Sequence, residues 1–127
     1  MIVAENLHKT FRSGYAWWTK HTPVLQGFDF QAQPGHVTGV LGPNGAGKTT
    51  FFRILCGLEK PTSGRIEVDG MDPWQHPKEM RGRIALLPEE PGVGRHVSGR
   101  DHLRMFGVMM GLQMQHINDL LEQANSL

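Results

Sequence analysis

Residues 41–50, Leu41-Gly42-Pro43-Asn44-Gly45-Ala46-Gly47-Lys48-Thr49-Thr50, decide how this chain is organised. From Gly42 to Thr49 they match the G-x-x-x-x-G-K-[ST] pattern in full. A short apolar strand is predicted just before them, His36 to Leu41, carried by Val37, Val40 and Leu41. A helix is predicted just after, Lys48 to Leu58, because Phe51, Phe52, Ile54, Leu55 and Leu58 recur at three- and four-residue spacing. Gly57 and Pro61 are its stop signals. Glycines let the backbone curl around an anion with no side chain in the way. The curled amides and the positive end of the helix then face the phosphates. Lys48 is expected to reach the β- and γ-phosphates, and the Thr49 hydroxyl to ligate Mg²⁺. The loop is thus suited to the triphosphate of ATP with its metal ion.

Outward from the loop, strands and helices alternate. Ile2 to Leu7 reads as a first strand, and Arg12 to Lys20, with Gly14 and three large aromatics, as a loop or hairpin tip. Val24 to Gln31 alternates, which predicts a strand with Val24, Gln26, Phe28 and Phe30 on one face. After Pro61-Thr62-Ser63-Gly64 a strand is expected over Arg65 to Val68, turning at Asp69-Gly70. A short helix near Pro77 leads to a buried strand, Ile84 to Leu87, and then to a loop from Pro88 to Gly94. His102 to Gly111 and Gln115 to Asn125 have helical period. The expected architecture is α/β, with a parallel core sheet, an N-terminal antiparallel addition and the start of a helical part.

Composition narrows the function classes. The chain has 127 residues and a formal net charge of +1, which gives no strong electrostatic case for nucleic acid. No apolar run is long enough to cross a bilayer, and Met1 is followed by no basic leader and apolar block of a secretion signal. The single cysteine, Cys56, suits a reducing interior. Seven histidines (His8, His21, His36, His76, His96, His102 and His116) stand singly, without a ligand-like i, i+4 pair, so surface or turn positions are expected. Met105, Met109, Met110 and Met114 cluster in the late helices, either as core or as a docking face.

Beyond the loop, further stretches resemble ATP-binding cassette (ABC) ATPases. Leu41 to Thr50 looks like their Walker A segment. Leu58-Glu59-Lys60-Pro61-Thr62-Ser63-Gly64 and Val68-Asp69-Gly70 match its usual continuation. Ile84 to Gly92 resembles the Q-loop segment, and Val97 to Leu103 the start of the helical subdomain. The resemblance implies a P-loop fold of ABC type and an ATPase subunit that dimerises with a second nucleotide-binding domain. It also implies a separate transmembrane permease as partner, a cytoplasmic site on the inner face of the membrane, and an export-type system. Phe11 occupies the position of the ring that stacks on adenine, and Tyr15, Trp17 or Trp18 could substitute for it. Glu89 stands where the family has a glutamine that touches the metal and the attacking water. A carboxylate also ligates Mg²⁺; whether it slows hydrolysis or is an accepted variant stays open. Lys48 and Glu89 are therefore the expected catalytic positions, Thr49 and Glu89 the metal positions. Phe11 and each residue from Gly42 through Pro43, Asn44, Gly45, Ala46, Gly47, Lys48 and Thr49 to Thr50 are expected to hold the nucleotide.

No LSGGQ-like run and no apolar run ending in Asp-Glu occurs in residues 1–127. The chain thus resembles roughly the first half of a nucleotide-binding domain, with signature motif, Walker B and switch histidine absent. Little or no ATPase activity is expected from it alone. The rival readings are an ABC ATPase that moves nothing, and a nucleotide-binding chain without hydrolysis. Charge-assisted hydrogen bonds contribute about 1.5–3 kcal/mol each. Lys48→Ala is accordingly expected to weaken ATP binding by roughly one to two decades, read by calorimetry; unchanged affinity contradicts the assignment.

Overall fold

The computed structural model describes residues 1–15, 17–87 and 96–125. The chain divides into two compact units, Met1–Leu86 and Leu87–Leu127. In the first, the described residues form one three-stranded sheet from β1 (Ile2–Ser13), β2 (Lys20–Ala32) and β3 (Ser63–Val68). The central strand, β1, runs antiparallel to both neighbours. Helix α1 (Lys48–Leu55) follows the glycine-rich loop, and α2 (Pro77–Arg81) follows β3.

The hairpin strands are longer than their sequence signals. Strand β1 continues past Leu7 to Ser13, where it still pairs with Lys20. The alternation expected from Val24 to Gln31 is broken part-way: Leu25, not Val24, is buried, while Phe28 and Phe30 pack on the core. The cause is extra residues in the strands, one in β1 and two in β2. Between the pairs Ala4–Phe30 and Leu7–Phe28 the surplus lies in β1, at Asn6; between Leu7–Phe28 and Lys9–Leu25 it lies in β2, at Gly27, and between Lys9–Leu25 and Thr10–Pro23 again in β2, at Val24. Asn6 and Gly27 have positive φ, 46° and 71°. Such bulges shift side chains to the other face. The Asn6 N–H, displaced from the ladder, donates to the Asp29 carboxylate at 2.6 Å. On the other side Gly64 lets β3 approach: a Cβ there would stand 2.2 Å from the Asn6 carbonyl oxygen.

Helix α1 closes the core from one side. Its buried positions are Phe51, Ile54 and Leu55, a single helical stripe. Phe51 is only 1% exposed. Its ring sits between those of Phe28 and Phe30, with centroids 5.0 and 4.9 Å away. The helix ends earlier than its apolar pattern, because Gly57 takes a positive φ of 67° and the N–H groups of Gly57 and Leu58 turn back to the Ile54 and Arg53 carbonyls, both at 2.9 Å.

Two expected strands are not formed. Neither His36 to Leu41 nor Ile84 to Leu87 joins a ladder among the described residues. Val40 and Ile84 pack against the core, but Val37 and Leu41 are 104% and 95% exposed. A β-strand is held by its neighbours, and parallel pairing in particular requires both faces and both edges to be covered. Among the described residues no parallel ladder forms, and the sheet that does form is antiparallel throughout. A cleft of about 640 Å³ lies against these segments, lined by Phe30, Val40, Leu55, Cys56, Ile84 and their neighbours.

In the second unit, α3 (Gly99–Met109) and α4 (Met114–Asn125) form a helical hairpin. Ser98 caps α3: its hydroxyl accepts from the Asp101 N–H at 3.1 Å and donates to the Asp101 carboxylate at 2.6 Å. The helices meet at Gly107, where a Cβ would lie 2.7 Å from Ile117. Met105, Met109, Met110 and Met114 are exposed rather than core. Phe51 joins helix and sheet, so Phe51→Ala is expected to cost about 3–5 kcal/mol of stability. Urea unfolding followed by circular dichroism measures it; a loss below about 1 kcal/mol contradicts this packing.

Candidate functional site

The glycine-rich loop is shaped by two residues with positive φ, Gly45 at 82° and Gly47 at 90°. They play different parts. A Cβ on Gly45 would meet nothing within 4 Å, so this glycine serves the bend alone. A Cβ on Gly47 would lie 2.8 Å from Leu25 Cδ2 and 3.0 Å from the Val24 carbonyl oxygen. Gly47 therefore lets the start of α1 rest directly on β2. Within the loop, the Ala46 N–H donates to the Pro43 carbonyl at 3.2 Å.

The helix start is left open to an anion. Gly47 is the N-cap and provides no side-chain acceptor, and the first turn holds no acidic residue. The first main-chain bond of α1 runs from the Phe51 N–H to the Gly47 carbonyl at 2.8 Å. The amides of Lys48, Thr49 and Thr50 thus precede the ladder, like the first amides of any α-helix. The Lys48 ammonium donates to the carbonyls of Gly42 at 2.6 Å and Pro43 at 2.7 Å. It closes the loop on itself and lies directly beside it. Neutral carbonyls are weaker partners for an ammonium than phosphate oxygens, so the contact is one that a triphosphate can replace. The glycine-formed bend, open amides and ammonium fit such a group. Thr49 is exposed in the first turn, where its hydroxyl is accessible to a metal ion.

Gly42, Pro43, Asn44, Gly45 and Ala46 are exposed, Gly47 is buried, and Lys48 and Thr50 are partly covered. Phe11 lies on β1 and is 38% exposed. It is tied to the loop through the hairpin. Phe11 pairs with Thr22, three residues from the Leu25 on which Gly47 rests. Tyr15, Trp17 and Trp18 are almost fully exposed beyond the end of the ladder. Glu89 lies outside the described residues. One residue that sequence reasoning passed over is Lys9, 8% exposed, whose ammonium reaches the Glu59 carboxylate at 2.6 Å. Its signal was present: it follows Leu7 by two residues, in phase with a buried position. Cys56, at the end of α1, has its thiol pKa raised by burial, which favours the unreactive protonated form.

The profile of one family, described as ABC transporter, matches residues 25–126. The chain belongs to the ABC transporter family. Among its relatives, the daunorubicin resistance ATP-binding protein DrrA2 of Streptomyces coeruleorubidus is 46% identical over 89 residues, covering 70% of this chain and 28% of the relative. The Nod factor export ATP-binding protein I of Cupriavidus metallidurans is 38% identical over 94 residues, covering 74% of this chain and 31% of that protein. A solved structure of the ATP binding subunit of an ABC transporter superposes with a TM-score of 0.65 at 27% identity, covering 90% of this chain and 44% of its own. The fold is thus the ABC-type P-loop fold, and the chain spans less than half the length of these relatives.

The two loop glycines give a graded expectation for this ABC chain. Gly47→Ala combines a left-handed backbone with a collision against β2, whereas Gly45→Ala carries backbone strain alone. In calorimetric titration with ATP, Gly47→Ala should lose at least about tenfold more affinity than Gly45→Ala. Equal losses would mean that the seating of Gly47 on Val24 and Leu25 has no bearing on the loop.

Proposed function

We propose that residues 1–127 are a partial ABC nucleotide-binding domain that binds ATP with Mg²⁺ through the loop Gly42–Thr49. The observation that carries this is the Lys48 ammonium, held over the Gly42 and Pro43 carbonyls beside the open first turn of α1. In this proposal Gly42, Pro43, Asn44, Gly45, Ala46 and Gly47 wrap the phosphates with main-chain amides. Lys48 exchanges its two carbonyl partners for phosphate oxygens, Thr49 ligates Mg²⁺, and Thr50 lies beside it in the first turn. Phe11 supplies a face for the base. Glu89, by its place in the sequence after Leu86-Leu87-Pro88, stands for the Q-loop residue near the metal. The bound Mg²⁺ would supply charge neutralisation at the phosphates.

The whole protein, on this proposal, is an ATPase subunit that pairs with a second nucleotide-binding domain and drives a membrane permease, in the export direction. The names of the relatives support that direction, since they concern drug resistance and Nod factor export. No helix among the described residues is long and apolar enough to cross a membrane. A peripheral place on the cytoplasmic face, beside a separate permease, accords with this. Because no Walker B-like run lies within residues 1–127, this chain alone should bind nucleotide without turning it over.

The test is calorimetry with ATP in Mg²⁺ and in chelator, together with a phosphate-release assay. Mg²⁺ is expected to tighten ATP binding by about tenfold in the parent chain and to do so no longer in Thr49→Val. Metal-independent binding in the parent would remove Thr49 from the site. Sustained phosphate release by this chain would overturn its assignment as a binding unit without turnover.

A further inference from the structure

Lys9 is an uncommon residue in a strand core. It is 8% exposed and sits on β1 opposite Leu25. Lysine is almost never so deeply covered unless its charge is met. Here it is met on three sides. The ammonium donates to Glu59 Oε1 at 2.6 Å and to the Lys60 carbonyl at 2.7 Å. It also lies over the Phe11 ring, 4.8 Å from the centroid, within the range of a cation–π contact.

Each of these contacts reaches a different part of the site. Glu59 and Lys60 belong to the turn that follows α1, the helix whose first turn is the phosphate loop. Phe11 lies two residues beyond Lys9 on the same strand. At its other end, α1 rests through Gly47 on Val24 and Leu25, and Leu25 is the cross-strand partner of Lys9. The hairpin therefore holds α1 at both ends, and the ammonium links the far end to the ring. Past Lys9 and Thr10, β1 pairs with β2 alone, since the β3 register stops at His8–Ser63. The hairpin arm that bears Phe11 has no third strand to steady it; the Thr10 N–H donates to the Thr62 hydroxyl at 2.9 Å, and beyond that bond the Lys9 contacts take the strand's place.

We propose that Lys9 is a positioning residue for the nucleotide base: it fixes the Phe11 ring at a set distance from the phosphate loop and charges its inner side. Lys9 has this role only if Phe11 carries the base, as proposed above. A cation against one face of an aromatic ring locks the ring's tilt, leaving a pre-set surface for a base. Ordering that surface in advance lowers the entropy lost on binding. The effect belongs to the base and not to the phosphates.

That separation gives the test. Calorimetry on the full chain compares ATP with inorganic tripolyphosphate, which has no base, for the parent, Lys9→Met, Lys9→Arg, Glu59→Gln and Phe11→Ala. Lys9→Met is expected to weaken ATP binding about three- to tenfold and to leave tripolyphosphate within about twofold. Lys9→Arg should recover most of the loss, because guanidinium also pairs with carboxylate and ring. Adding Lys9→Met to Phe11→Ala should cost no further ATP affinity. Equal losses for ATP and tripolyphosphate in Lys9→Met would make Lys9 a merely structural residue and overturn the proposal. If Lys9→Met does not fold, Glu59→Gln decides by the same ratio, with a selective loss for ATP supporting the proposal and an equal loss overturning it. A loss in Phe11→Ala with none in Lys9→Met refutes the role of Lys9 alone. No loss in Phe11→Ala, or no ATP binding by the parent, refutes the base platform together with it.

Discussion

The seating of α1 on the hairpin is the constraint from which the site follows. At the start of the helix there is no room for a side chain between Gly47 and the Val24 carbonyl and Leu25 side chain. One turn later Phe51 fills the space between Phe28 and Phe30. Backbone contact and ring packing together fix the direction in which the first amides of α1 point. An anion-binding loop draws its strength from donors aimed beforehand, so that few need reorienting when the ligand arrives. The loop itself is exposed and flexible in composition. What makes it a site is the rigid seat beneath its last glycine.

The remainder of the first unit is less self-sufficient. The antiparallel sheet satisfies itself: β1 has a neighbour on each side, and its irregular residue, Asn6, finds an acceptor in Asp29. The segments expected to build a parallel core do not. His36–Leu41 and Ile84–Leu87 place some side chains on the core and leave others to solvent, beside an open cleft. This contrast follows from how the two kinds of sheet form. Antiparallel strands can be joined by a tight turn and pair locally, whereas parallel ones depend on crossovers and on cover from both sides. The helical unit behaves like the hairpin, closing on its own around Gly107 and Ile117.

Much of this was legible in the sequence, for identifiable reasons. The loop declared itself because its chemistry demands a fixed spacing of glycine, lysine and threonine. Helix α1 and the two late helices were evident from periodicity, although only α1 and α4 bury apolar side chains at the helical repeat, Phe51, Ile54 and Leu55 in one and Ile117 and Leu121 in the other. The strand that precedes the loop was read from Val37, Val40 and Leu41, but apolar content marks a segment that needs cover and does not guarantee it. The face of β2 was read correctly at Phe28 and Phe30 but not at Val24 and Gln26, because a bulge changes parity without leaving a compositional trace beyond Gly27, and a glycine has several other uses. The phase of Lys9 with Leu7 was visible as a sign of burial, but its partners, Glu59 and Lys60, lie some fifty positions away in the chain. A long-range ion pair has no local signature.

The irregularities of the hairpin have a consequence for how this region can evolve. Asn6 adds one residue to β1, while Gly27 and Val24 each add one to β2, so the outer half of the arm keeps its facing only through their combined offset. Removing a single codon near any of them would rotate every residue further out on that strand by half a repeat. Phe11 and Lys9 would trade inward for outward places at one stroke. The inner hairpin should therefore admit substitutions readily while resisting changes of length, and the freedom to grow or shrink would be confined to the tip beyond Ser13.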